Sequence, residues 1–314
     1  MKRIIVLLLS ALMVLSVLSG CDNKKNNNDN KLKVVTTIFP IYDWVREVLG
    51  DVDVDVEALL NNGVDLHSYQ PTVDDIAKIN NADVFMYVGG ESDGWVESVL
   101  ESNKNVRVVN LLEVLGDSVK LEEELEGVEY DHEHDHEDEE EYDEHVWLSL
   151  RNAKKCVEAI KDVLCELDSS NADRYEKNAE EYIEKLELLD QKYMEVVDKA
   201  KNDTLVFGDR FPFRYLVDDY NLNYYAAFAG CSTESEASFN TITFLAKKLD
   251  ELGLTSILKI EGNNHKIAET IIKNTENKNQ EILTLNSMQG SILEGDTYLS
   301  IMENNLEVLK KALN

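Results

Sequence analysis

From Leu32 onward the chain alternates short apolar runs with stretches of helical period. LKVVTTIFP, VDVEALL, DVFMYVGG and NVRVVNLL have the length and β-branched content of strands, and helical spacing falls between them at 41–49, 73–80 and 94–101. Strands separated by helices pair in parallel, so this part reads as one α/β lobe. After a polar interruption at 130–145, a helix is predicted over 150–167. Tyr175, Ala179, Tyr182, Leu186, Leu189, Tyr193, Val196 and Ala200 then recur at spacings of three and four. One helix of that extent runs about 45 Å, longer than a lobe needs for itself, and reads as a link between two. A second alternation follows, with TLVFGD, NYYAAF, SILKIEG and EILTLNS as strands and helices at 213–219, 239–252, 266–274 and 297–313. The predicted fold is therefore α/β, with two lobes, each a mostly parallel four-stranded sheet with flanking helices, joined by one long helix. In such an architecture ligands bind between the lobes, at the carboxyl ends of the strands.

The first twenty residues stand outside this pattern. Lys2 and Arg3 precede an apolar run that ends in Leu18-Ser19-Gly20-Cys21, the layout of a secretory signal. The sequence L-S-G-C resembles the lipobox of bacterial lipoproteins, in which the cysteine thiol takes a diacylglyceryl group; Cys21 is the expected lipidation site. The run is short for spanning about 30 Å of hydrocarbon as an anchor helix. DNKKNNNDNK follows, without an apolar residue, and reads as a flexible tether. The expected organisation is a signal peptide at 1–20, lipidated Cys21 and tether at 21–31, a first lobe at 32–168, a linking helix at 169–201 and a second lobe at 202–314.

Charge narrows the partners. The 314 residues carry 62 acidic against 31 basic side chains, a net charge of −31, which repels phosphate backbones and anionic headgroups and excludes nucleic acid as a partner. Cations are the natural ligands. Of the four cysteines, Cys156 and Cys165 lie in one predicted helix about 13 Å apart, beyond disulfide reach. Without a C-x-x-C pair the composition argues against a thiolate zinc site, and Cys156, Cys165 and Cys231 read as small core residues or free thiols.

Two stretches could carry chemistry. Gly90-Glu91-Ser92-Asp93-Gly94 matches G-x-S-x-G in a strand-to-helix context, which raises a secreted serine hydrolase using Ser92, with His145 or His265 as its base. The alternative is a glycine-rich turn. The other stretch is YDHEHDHEDEEEYDEH at 130–145, which contains four of only six histidines. His132, His134 and His136 alternate with acids, so each conformer can hold a cation weakly through two or three groups. His67, in the loop NNGVDLHSYQP, and His145, closing the tract, are the remaining loop histidines of the first lobe and candidate ligands.

The residues around these histidines carry a resemblance. Gly63-Val64-Asp65-Leu66-His67-Ser68-Tyr69-Gln70-Pro71 resembles the G-x-x-P-H-x-Y-x-P segment of the metal-binding lipoproteins of zinc and manganese ABC importers. Asp143-Glu144-His145-Val146-Trp147-Leu148, with Asn152-Ala153, is similar to their D-P-H-V-W-L-D-P-x-N-A, and Phe213-Arg214-Tyr215-Leu216 through Tyr220 and Leu222 to their H-x-A-F-x-Y-L-x-x-x-Y-G-L. The resemblance covers the mature chain and points to the zinc-type cluster A-I solute-binding proteins. It implies two lobes bridged by a rigid helix, with one cation in the cleft. The first two ligands then fall on His67 and His145, and the acidic tract matches the His-rich loop of zinc-specific members.

Two family positions differ. The third ligand aligns with Arg210, which cannot coordinate, and the fourth falls in LTLNSMQ, where Asn286 stands. Asp209, Glu234 and Glu236 are the replacement candidates, with Asp209 and Glu236 completing the expected set, and Arg210 is expected to pair with one of these acids. Two imidazoles and a carboxylate suit Zn2+ better than Mn2+. The expected function is an extracytoplasmic solute-binding lipoprotein, monomeric and not an enzyme, that delivers Zn2+ to an ABC permease and its ATPase. A metal-buffering or adhesive surface lipoprotein without a permease is the further alternative.

Overall fold

The computed structural model describes residues 31–60, 63–102, 105–128, 141–232, 236–262, 264–290 and 295–314. The predicted signal peptide, Cys21, nearly all of the predicted tether, the body of the acidic tract with His132, His134 and His136, and Glu234 lie outside the described residues. Residues 32–314 form one compact unit.

Two four-stranded parallel sheets have the same topology. Strands β1 (Lys33–Thr36), β2 (Asp55–Ala58), β3 (Val84–Tyr87) and β4 (Arg107–Asn110) lie in the order β2-β1-β3-β4. Strands β5 (Thr204–Phe211), β6 (Asn223–Ala229), β7 (Ser256–Lys259) and β8 (Glu281–Thr284) repeat it as β6-β5-β7-β8. The central strands read as continuous apolar runs because helices cover both faces of the sheet.

Helices α1 (Phe39–Leu49), α2 (Val73–Asn80), α3 (Trp95–Ser102) and α4 (Leu111–Leu115) flank the first sheet. The apolar run LKVVTTIFP does not stay a strand throughout, since Pro40 in the first turn of α1 gives up an N–H that would be unpaired there anyway. Likewise NVRVVNLL is a strand only to Asn110, whose side chain accepts from Glu113 N at 3.2 Å and starts α4. Helix α5 (Leu150–Leu167) packs on the long α6 (Ala172–Asp198), and α7 (Arg214–Asp219), α8 (Phe239–Glu251), α9 (Lys266–Lys273) and α10 (Tyr298–Ala312) complete the second half.

Helix α6 buries Tyr175, Ala179, Tyr182, Leu186, Leu189 and Tyr193 along one stripe, and these residues belong to a single core that runs through both sheets. Hydrogen bonds far apart in sequence fix the two halves. Trp147 Nε1 donates to Ser287 O at 2.8 Å, Tyr298 Oη to Trp147 O at 2.7 Å, Tyr215 Oη to Asp143 O at 2.7 Å, and Tyr298 N to Asp43 Oδ2 at 2.9 Å. Strand β5 carries a register shift between Phe207 and Arg210, at the end that faces the cleft. Such an irregularity changes the direction of the residues after it.

Candidate metal centre

The loops at the carboxyl ends of both sheets converge. His67 follows β2, Ser92 follows β3, Arg210 ends β5, Cys231 follows β6, Glu261 follows β7 and Gln289 follows β8.

His67 lies in a single 3-10 turn, Leu66–Ser68, whose first N–H groups need a cap. Asp65 supplies it, with Oδ1 accepting from His67 N at 3.1 Å. His145 precedes the turn Val146–Leu148 and is fully buried. Asp143 Oδ1 accepts from both His145 N and His145 Nδ1, each at 2.9 Å, which leaves the lone pair on Nε2. His67 Nδ1 meets Ser92 Oγ at 2.8 Å, and the two Nε2 atoms face each other at 3.1 Å. Two nitrogens about 2.1 Å from a tetrahedral zinc stand about 3.4 Å apart, so the pair is nearly in place. Burial, with His145 as the next contributor, lowers the His67 pKa to about 4 and keeps the ring neutral, the form that coordinates.

Ser92 and Glu144 hold His67 from behind. Ser92 N donates to Glu144 Oε1 at 2.7 Å, and burial raises the Glu144 pKa. Glu144 Oε2 is buried without a hydrogen-bond partner, 3.8 Å from His67 Nδ1. Gly90 makes the room: its φ is +84°, and a Cβ there would lie 2.5 Å from Glu144 Oε1. The glycine-rich turn therefore positions a histidine. The histidines considered as bases for Ser92 are placed otherwise, with His145 bonded to Asp143 and His265 beside Glu269.

Gln289 closes the site from the second lobe. Its amide nitrogen is assigned 3.0 Å from His67 Nε2 and 2.6 Å from His145 Nε2, and its oxygen 3.1 Å from Ser287 Oγ. Ser287 has one hydroxyl proton, and Glu261 Oε1 takes it at 2.7 Å, so the Gln289 oxygen finds no donor there. Without a cation the amide N–H groups satisfy the Nε2 lone pairs of the two imidazoles; a cation between the rings takes those lone pairs, and a half-turn of the amide would then present its oxygen to the ion. In that cation-bound orientation Gln289 N–H would donate to Ser287 Oγ and Ser287 to Glu261, with Gln289 Oε1 facing the ion between the imidazoles. Glu261 is itself fixed by Ser287 N at 2.6 Å.

The remaining sequence candidates fall elsewhere. Asp209 Oδ1 accepts from Arg210 N at 2.9 Å and Oδ2 from Ile260 N at 3.3 Å, and burial raises its pKa. Glu236 is exposed on its loop. Asn286 shapes the turn before Gln289: its Oδ1 accepts from Met288 N at 2.9 Å, and Met288 takes φ 59°. Arg210 pairs with Asp65 at 2.6 Å rather than with an acid of its own lobe. It thereby ties the His67 turn to β5. Among the described residues, the group able to hold a cation is His67, His145 and Cys231.

The sequence reading missed Gln289 and Cys231. Gln289 stood three residues beyond Asn286 in the stretch already singled out, while Cys231 had no spacing signal at all.

The chain also matches known proteins. Residues 34–312 match the family ZnuA, described as zinc-uptake complex component A, periplasmic. The chain is 35% identical over 314 residues to the zinc-binding lipoprotein AdcA of Streptococcus pneumoniae serotype 4, covering 99% of this chain and 61% of that one. It is 32% identical to the high-affinity zinc uptake system protein ZnuA of Bacillus subtilis, with 97% and 96% covered. The crystal structure of Zn(II)-bound AdcA from Streptococcus pneumoniae superposes with a TM-score of 0.72 at 32% identity, over 90% of this chain and 58% of that one. The chain thus spans about three fifths of the length of the streptococcal relatives, and nearly all of the Bacillus one. With the family match running from β1 to the end of α10, the chain belongs to the ZnuA family of zinc-uptake solute-binding components.

Proposed function

We propose that the protein is the extracytoplasmic solute-binding component of a zinc importer, held at the membrane through a diacylglyceryl group on Cys21. It captures Zn2+ in the interlobe cleft and passes it to an ABC permease with its ATPase. The observation that supports this most is the pair of Nε2 atoms 3.1 Å apart, facing Gln289 across the cleft. Similarity to the zinc-named relatives adds to it. No bond of the cargo is made or broken, so this chain needs no nucleophile.

The cation takes the Nε2 lone pairs of His67 and His145 and the amide oxygen of Gln289. On binding, His67 Nδ1–H donates to Ser92 Oγ, and His145 Nδ1–H keeps Asp143, so both rings are held in the coordinating tautomer. The acidic tract lies next to this site in sequence. Its base is closed by the antiparallel bridge of Leu121 with Tyr142, and its exit leads into Asp143 and His145. His132, His134 and His136 precede this point in the sequence as weak capture groups for the same cation. Among the described residues no helix is long and apolar enough to cross a membrane.

Zinc titration of the chain tests the reading, with His67→Ala and a deletion of 131–141. One tightly bound zinc is expected in the wild type, lost in His67→Ala and kept in the deletion, which removes only weak sites. A wild type that binds no stoichiometric zinc, or a His67→Ala variant that titrates like it, overturns the proposal.

A further inference from the structure

We infer that Cys231 is a ligand of the cleft cation, so that the site is built from two imidazoles, an amide oxygen and a thiolate, and takes borderline-to-soft divalent ions. The inference rests on the cleft reading above and names the donor that the family position now filled by Arg210 no longer supplies.

Geometry carries it. The ligand atoms of His67, His145 and Cys231 all lie within 4.8 Å of one another, and the two imidazole nitrogens already stand at 3.1 Å. Donors around a tetrahedral zinc with a Zn–S bond near 2.3 Å are separated by about 3.5 Å, so the sulfur closes by roughly 1 Å onto a cation. Cys231 lies two residues past β6, in a turn where Ser232 N donates to Ala229 O at 3.3 Å. Gly230 presses this turn against the site. A Cβ at 230 would lie 2.9 Å from His145 Cε1 and 2.9 Å from Phe211 O, so only glycine lets the backbone reach the ring and present the next side chain to it.

Two further observations agree. Arg210, which would repel a cation, is drawn off by Asp65 at 2.6 Å. The rest of the donor set is neutral, since His67, His145 and Gln289 bring no charge to a dication. A thiolate supplies one negative charge and a soft donor, which favours zinc and cadmium and disfavours manganese. In the step itself the S–H bond is replaced by the sulfur–cation bond, and the proton leaves to the Glu122 carboxylate, which already hydrogen-bonds the thiol. No oxidant or reductant is involved.

The test uses the full chain titrated with Co2+ and Cd2+, read by near-ultraviolet thiolate charge-transfer absorption and by affinity. The wild type should develop the band to one equivalent, and Cys165→Ser should keep it. Cys231→Ser should lose it and bind Cd2+ at least about 100-fold more weakly, beyond what loss of an outer hydrogen bond causes. A wild type that binds one Co2+ without the band, or a Cys231→Ser variant with unchanged band and affinity, overturns the inference and leaves the zinc site of the cleft standing. A wild type that binds no cation overturns both. Because the wild-type spectrum alone can refute the claim, the result does not depend on how the variant folds.

Discussion

At the residue scale the site is set by which atom of each side chain is already engaged. Asp143 and Ser92 occupy the Nδ1 atoms, so both histidines offer Nε2. Asp209 directs its two oxygens to backbone N–H groups of Arg210 and Ile260. Residue type made His67 and His145 candidates, since histidine is scarce and both sit in loops, and the family resemblance made them the expected ligands. It could not separate Asn286 from Gln289, which differ in what the turn does with them. Gln289→Glu places a carboxylate against two neutral imidazoles, and zinc should bind at least about 10-fold more tightly, as read by competition with a chelator. Glu261→Gln should act in the opposite direction: it breaks the chain of donors that orients the Gln289 oxygen, and affinity should fall by about 10- to 100-fold with the zinc stoichiometry unchanged.

At the element scale, periodicity and turn chemistry made most of the fold legible. Helix α2 is bounded by Thr72, whose hydroxyl accepts from Asp75 N at 3.2 Å while Asp75 accepts back from Thr72 N, a capping box visible as T-V-D-D. Helix α6 follows its apolar stripe, and Leu186, fully buried in it, should cost about 2–5 kcal/mol of stability when changed to alanine, measured by urea unfolding. What sequence did not show is the irregularity in β5. Once the register shifts after Phe207, the residue aligned with a family ligand turns to a carboxylate on the other lobe, and no local pattern encodes that partner. Arg210→Ala strands Asp65 and frees the His67 turn. It should cost about 1–3 kcal/mol in the apo protein and weaken zinc binding, measured by unfolding and titration on the same samples.

At the scale of the whole molecule, the two halves meet through buried polar groups as well as apolar ones. Asp43 on α1 accepts from Tyr298 N at the start of α10, and burial raises its pKa to about 6 from an ordinary 3.8. The folded state therefore holds this proton more tightly than the unfolded chain does, and its contribution to stability declines as pH rises from about 4 to about 6. Asp43→Asn keeps the acceptor and removes the charge. The stability of the variant relative to wild type should rise across that window by up to about 3 kcal/mol and level off above it, as followed by urea midpoints at several pH values. A flat difference would mean that Asp43 is ionised throughout.

The donors of the cleft are far apart along the chain: His67 and His145 by 78 residues, His145 and Gln289 by 144. A cation held by all three is therefore a reversible cross-link that ties the chain into two large rings, and those rings exist only while both sheets and α6 are intact. Loading and global unfolding are then one equilibrium. At a free zinc concentration 100 times the dissociation constant the native state gains about 2.7 kcal/mol, spread over every element between β2 and the loop after β8. Proteolysis that proceeds through global opening should slow by the same factor of about 100.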